Sequence, residues 1–447
     1  MEPDRLIFSM RMNAAEEADG HRGARGVPVD PGSTRDSRRS TQDRAMAGGR
    51  PVSERERLPL LDALRGFALA GVLLANLREF SLFSLIDDVQ RAALPTAALD
   101  HWLGPLLDAL VGGKAMTLFA LLFGVGFALQ LQRGADGSGA RLRFARRMVV
   151  LLVFGLLHAW LLWWGDILRY YAILGLLLLA CAGWPARRLI LAGLFVTLLA
   201  TSLLQPFMAG WPARFGDGDV LRVQAVAAFA GNDWRAALRA NFSYDVHLHA
   251  TAWSLVLFTL GRLLLGAGFG RGGWLSQPQA YRRQWCHLLV ACLPTGLLLT
   301  AFLLLRDEGL MPDGMLGLEG MPARMLSRLL RNAAYLLTGL GYLSAFVLVW
   351  LQPHCQRGLR ALVPVGRMAL THYVGQTVVG VALFYGVGLG IGPRLGVLGI
   401  LVAFVLIFGL QIAASHWWLA RYRFGPLEWL WRCLTYGRLQ PWRKSWS

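Results

Sequence analysis

The chain has 447 residues, of which 55% are apolar and only 16% charged, and its mean hydropathy is +0.44. Soluble domains carry about a quarter charged residues, and the five cysteines are too few for a disulfide scaffold, so soluble, disordered, collagen-like and disulfide-rich classes are excluded. What remains is an all-α, polytopic integral membrane protein. The net charge of +18 belongs mostly to the apolar body, where membrane topology explains it, and no nucleic-acid partner is expected.

Residues 1–57 hold 11 Arg and 10 Asp or Glu with no sustained apolar periodicity, so they read as a disordered N-terminal tail in which Met46 is a candidate start. The first apolar run begins near Leu58, too late for a signal peptide. A crossing needs about 20 residues. Runs of that kind fall at 60–78, 115–132, 148–164, 168–184, 189–209, 250–269, 287–305, 332–351, 369–389 and 395–415. They define a transmembrane domain over 58–415 with about ten helices, followed by an interfacial tail over 416–447. Loops 133–147, 184–188, 270–285 and 352–368 and the tail carry 19 Arg or Lys against two acids, whereas the alternate loops carry 13 against 14. The positive-inside rule makes the first set, and both termini, cytoplasmic. No cysteine falls in an expected outer loop, so no disulfide is expected, and no metal or haem either.

Ionisable residues inside a bilayer are functional candidates. On the first helix Asp62 and Arg65 are spaced to pair, and Asn76 returns to the same stripe about 16 Å along. Ala68, Gly71 and Ala75 form a small-residue seam for tight packing. Lys114 opens the second helix as an interfacial, snorkelling lysine, and the Gly124/Gly126 pair permits close helix contact. His158 lies about mid-membrane on the third helix. Asp166 follows in a turn where it can cap the fourth. Eight residues of continuous helix would hold the two about 12 Å apart, so no direct dyad is expected. The outer loops 78–114 (with Asp100-His101-Trp102) and 210–249 are long enough to be binding elements or solvated connectors; the second contains two short helices, 219–230 and 233–242. Arg141, Arg143, Arg146 and Arg147 satisfy topology and offer a minority reading as a phosphate grip. Trp429 and Trp431 anchor a tail helix at the head groups, and Glu428, the sole acid there, is expected to pair with an arginine.

In order, these pieces resemble the YeiB-like family of bacterial inner-membrane proteins, whose C-terminal half is named domain of unknown function 418. The carriers are Asp62-Ala-Leu-Arg65-Gly66 with Asn76, Gly113-Lys114 leading to Leu122-Phe123-Gly124, and His158 with Gly165-Asp166-Ile167-Leu168 and Tyr171. Gly366-Arg367-Met368-Ala369-Leu370-Thr371 with Tyr373, and Gly425-Pro426-Leu427-Glu428-Trp429, complete the set, which spans about 58–437. The resemblance implies a bacterial inner (plasma) membrane location. It also implies distant similarity to membrane acyltransferases, namely the acyltransferase-three family and heparan-α-glucosaminide N-acetyltransferase. In the former, an arginine of the first helix precedes a catalytic histidine by eleven residues; here Arg65 matches and position 76 is Asn. In the latter, the catalytic histidine lies in the first outer loop, where His101-Trp102 is loosely placed.

The expected function is therefore acyl transfer from cytoplasmic acyl-CoA to a hydroxyl or amine of an envelope glycan or lipid. Arg65, Arg147 and Arg367 would lie near the donor phosphates. His158 first and His101 second are candidate bases, Asp166 orients a partner, and Asn76 offers an oxyanion hydrogen bond. Membrane lipids are the surrounding partners. A transporter or exporter is the alternative. A haem carrier would need paired histidines at one depth, and His372 and His416 lie nearer the cytoplasmic face than His158.

Overall fold

An apolar run that enters lipid must satisfy its own backbone, so helices are the default for each of these segments. The computed structural model describes residues 58–132, 137–208, 210–310 and 319–444. The expected tail over 1–57, with Met46, lies outside the described residues. No β-strand occurs among them. Among the described residues eight helices are long and apolar enough to cross a membrane, and two shorter apolar ones, Leu168–Cys181 and Ala369–Phe384, join them. The protein is an all-α, multi-pass bundle.

In chain order the helices are α1 (Pro59–Phe80), α2 (Ala97–Leu110), α3 (Lys114–Gln132), α4 (Gly137–Leu161), α5 (Leu168–Leu178) and α6 (Ala186–Leu194). Next come α7 (Gly218–Ala230), α8 (Trp234–Thr251), α9 (Trp253–Arg271), α10 (Arg282–Asp307) and α11 (Gly320–Trp350). The chain closes with the short α12 (Leu362–Arg367), then α13 (Ala369–Phe384), α14 (Val397–Arg421) and α15 (Pro426–Tyr436). Helices α1 and α9 are the inner ones, 67% buried over their apolar windows, while α10 and α14 at 22% and 17% leave most of their surface for lipid.

Small residues set the inner contacts. A Cβ on Gly124 of α3 would strike the Leu263 carbonyl of α9, and one on Gly266 would strike the Leu121 carbonyl, so these two helices cross at backbone contact. Gly71 in the seam of α1 meets Ala115, whereas Gly126 faces the Arg65 side chain instead of a helix backbone.

Several boundaries differ from expectation, each for a visible reason. Helix α4 stops at Leu161 and the chain folds back through Trp163-Trp164-Gly165 before α5 begins. Helix α6 passes into a π-helical turn over Phe195–Ala200, where Thr197 abuts Gly261 of α9. Helix α13 ends at Phe384 because Tyr385 turns extended and the Gly386 N–H donates to Phe229 O at 2.8 Å. Helix α14 continues to Arg421, beyond the expected 415, through the interfacial Trp417 and Trp418.

The expected helices at 219–230 and 233–242 are α7 and α8. Each starts on an aspartate cap, Asp217 accepting from Asp219 N at 2.9 Å and Asp233 from Arg235 N at 2.8 Å. Helix α8 runs on to Thr251 because its polar residues face inward over the α4–α5 turn. Asn241 Nδ2 donates to Ala159 O at 2.7 Å and Trp160 O at 3.3 Å, and Tyr244 packs edge-on against Trp164. Within 78–114, Leu82, Phe83, Leu85 and Ile86 are buried, so that stretch too is packed.

Glu428 corrects an expectation. No ion pair with an arginine is found for it among the described residues; its carboxylate accepts from Leu370 N at 2.7 Å, Thr371 N at 3.0 Å and Thr371 Oγ1 at 2.5 Å. It caps the start of α13, whose first N–H groups have no partner within the helix. Burial pushes this carboxyl up from its ordinary value, against the pull of those hydrogen bonds.

Candidate functional site

The turn after α4 brings His158 and Asp166 together. His158 Nδ1 lies 3.0 Å from Asp166 Oδ1, and His158 Nε2 lies 2.9 Å from Thr377 Oγ1 of α13. Both members of the pair are buried, at 3% and 0% exposure. The expected 12 Å separation is therefore overturned: the helix ends between them, and Gly165 lets the chain reverse. A Cβ on Gly155 would press on Arg169 N and on the Asp166 carboxylate, so α4 needs glycine there for α5 to approach. Asp166 also accepts from Arg169 N at 3.0 Å, which is the capping role expected of it.

A carboxylate on Nδ1 makes that nitrogen the donor and leaves the Nε2 lone pair facing the Thr377 hydroxyl. The line Thr377–His158–Asp166 has the connectivity of a hydroxyl, a base and an orienting acid. Tyr373, one turn before Thr377, packs its ring 5.1 Å from His158 and accepts from Ile167 N at 3.3 Å. Beyond Asp166 a second set continues toward the acidic loops. Arg169 forms a two-pronged ion pair with Asp245 of α8, and His249 lies 3.1 Å from the same carboxylate. Burial alone would raise Asp245, but hydrogen bonds from His249 and Arg169 hold its carboxyl below the usual range.

The other expected residues divide into two groups. At the arginine-rich end, Arg65 pairs with Asp62 at 2.9 Å. Arg147 of α4 stacks 4.0 Å over the Trp431 ring, which donates to the Arg147 carbonyl at 2.9 Å, and it feels the charges of Arg432 and Arg65. Arg367 donates to Arg423 O at 3.2 Å and lies within the field of Arg432, whose own guanidinium covers Phe424 at 4.4 Å. Four arginines thus gather where α1, α4, α12 and α15 meet, and the nearby Glu428 carboxylate is already occupied by α13. A cleft of about 430 Å³ opens at the same end, lined by Gln132, Arg141, Pro185 and Arg271 among others. His101 and Asn76 do not join the buried pair. His101 is exposed with its ring against Trp102, and Asn76 makes no side-chain hydrogen bond among the described residues. Lys114, expected to snorkel, is instead 1% exposed.

Sequence reasoning missed Thr377, Asp245 and Arg432, and also Arg262 in the middle of α9. For Arg262 the signal was present, a lone cation within an apolar run. For Asp245 and His249 it was the i, i+4 spacing; Thr377, one hydroxyl in a helix, gave none. Among the described residues no three His, Cys, Asp or Glu side chains converge as metal ligands would.

Residues 269–438 match the model of a protein of unknown function, DUF418. Along nearly its whole length the chain is similar to the uncharacterized protein YeiB of Escherichia coli, at 30% identity over 85% of this chain and 96% of the relative. It is also similar to the uncharacterized protein YxaH of Bacillus subtilis, at 27% identity over 89% and 98%, respectively. A 39.9 kDa protein from the amylase 3′ region of Bacillus acidopullulyticus is 28% identical over 88% of this chain and 97% of its own.

Proposed function

The chain belongs to the YeiB-like DUF418 family, and on that premise we propose that it is a transmembrane acyltransferase of the bacterial inner membrane. It moves an acyl group from cytoplasmic acyl-CoA to a hydroxyl or amine of an envelope glycan or lipid. The observation that carries this reading is the buried Thr377–His158–Asp166 line. His158 Nε2 takes the acceptor proton as the acceptor attacks the thioester carbonyl carbon; the C–S bond breaks and the proton passes to the departing CoA sulfur. Asp166 keeps Nδ1 protonated and offsets the charge on the imidazolium. Thr377 Oγ1 occupies the position an acceptor hydroxyl would take.

Supporting this reading, the arginine cluster of Arg65, Arg147, Arg367 and Arg432 offers planar donors suited to phosphate groups. Helix α13 links that end to His158, since Ala369 to Thr377 is a rise of about 12 Å. The acceptor would come from the opposite, acidic end, where a cleft of about 250 Å³ is lined by Arg78, Glu79, Ser84 and Asp108.

Thermal stabilisation of the detergent-purified protein by acyl-CoAs, free CoA and ATP tests the proposal. A ligand specific for the folded state raises the midpoint. The expected result is a shift with acyl-CoA that Arg147→Ala and Arg432→Ala diminish and His158→Ala preserves. If the folded protein responds to no CoA species, the donor is wrong. Substrate-driven flux in proteoliposomes without acyl-CoA would then favour a transporter.

A further inference from the structure

Two buried cations near the acidic end lie outside the site described above. Arg262 is fully buried. Its Nε donates to Thr117 Oγ1 at 2.8 Å, its Nη1 donates to Phe258 O at 2.9 Å, and its guanidinium carbon stands 3.3 Å from the centre of the Phe258 ring. Nη2 has no hydrogen-bond partner among the described residues. Reaching back one turn to Phe258 brings the head group toward the outer end of α9. Lys114, at the start of α3, is almost as deeply buried; its Nζ donates to the Asp108 carbonyl at 2.8 Å and lies 5.0 Å from the centre of the Tyr335 ring. Thr117 and Tyr335 connect the two cations: Thr117 Oγ1 donates to Gly113 O at 2.7 Å, and Tyr335 packs on Gly113 and edge-on against the Phe258 ring at 6.3 Å.

Among the described residues no carboxylate forms an ion pair with either cation, although Lys114 feels the charge of Asp108 from farther off. The Asp108 carboxylate is bound by Arg78, and that of Asp307 by Arg331 at 2.9 Å. Asp108 is thus shared with Arg78, and Arg262 has no carboxylate within ion-pair distance among the described residues. A cation within a membrane span is costly unless paired, and two in one layer compound the cost. We propose that Arg262 Nη2 and Lys114 Nζ form a binding site for a dianionic phosphate group carried by an amphiphilic ligand. Arg262 supplies an unused amino group on a fork already locked by Thr117 and Phe258. Lys114 supplies the second charge and its remaining N–H donors. Charge balance selects a dianion over a single carboxylate. The site is independent of acyl transfer and of the arginine cluster at the other end.

The test uses the full chain in a neutral maltoside detergent. The thermal midpoint is followed against phosphatidic acid, phosphatidylcholine and inorganic phosphate, with folding checked by monodispersity and tryptophan fluorescence. Phosphatidic acid should raise the midpoint by several degrees near saturation, and phosphatidylcholine should not. Arg262→Gln and Lys114→Gln should each weaken the apparent affinity at least tenfold, with Arg262→Lys retaining part of it. If inorganic phosphate reproduces the shift, the ligand is a free anion and the amphiphilic carrier is overturned; if only phosphatidic acid does, the ligand is a lipid as proposed. Absence of any shift overturns the proposal, and so does a shift of equal size in the variants. Should Arg262→Gln fail to fold, Lys114→Gln decides the matter alone.

Discussion

At the scale of single residues, the protonation state of His158 is the most consequential detail. Its two nitrogens are bound by groups of different character, a carboxylate at 3.0 Å and a hydroxyl at 2.9 Å. The neutral ring therefore carries its proton on Nδ1. In Asp166→Asn the amide can present its NH₂ to Nδ1, which drives the proton to Nε2 and removes the base. ¹⁵N spectra of histidine-labelled protein should show that exchange of tautomers at His158, and acyl transfer should fall by about 10²–10⁴-fold while the bundle stays folded. An unchanged tautomer would sink the orienting role of Asp166. Arg65, Asp62, His158 and Asp166 were all legible as polar residues inside apolar runs. Their geometry was not. Treating 158–166 as unbroken helix hid the dyad, although Gly165-Asp166 is itself a turn signal. Thr377 lies 219 residues from its partner in sequence, and no local pattern announces such a contact.

At the scale of helices, α13 depends on a residue borrowed from α15. Two backbone N–H groups and one hydroxyl converge on the Glu428 carboxylate. Glu428→Ala should cost about 2–3 kcal/mol, read as a lower thermal midpoint in detergent, and Glu428→Gln should cost less because one amide oxygen remains to accept. Because α13 also carries Tyr373 and Thr377, the alanine variant should loosen the His158 contact from a distance. Most crossings were legible from apolar length, and α7 and α8 from their aspartate caps. The shortened α13 and the lengthened α8 were not. In both, a tertiary hydrogen bond decides where the helix ends or continues, Gly386 N to Phe229 O in one and Arg169 to the Asp245 carboxylate in the other.

At the scale of the whole molecule, the charge asymmetry of the loops makes a prediction that the native thiols can read. Cys286 and Cys355 are exposed and belong to loops or helix ends with the arginine-rich signature. A membrane-impermeant maleimide should label both in inside-out vesicles and neither in intact spheroplasts; the reverse pattern would invert the topology. The asymmetry extends to the two polar centres, with arginines gathered at one end and the His158 pair reached from that end along α13. The other end is closed by the α7–α8 hairpin. Asn241 holds the last carbonyls of α4, and Asp245 grips Arg169, the residue whose N–H ties back to Asp166. A molecule approaching His158 from that side must first break those clasps, so the hairpin acts as a latch. On the acyl-transfer reading, how often it lifts would set an upper bound on turnover, whatever the speed of the chemistry beneath it.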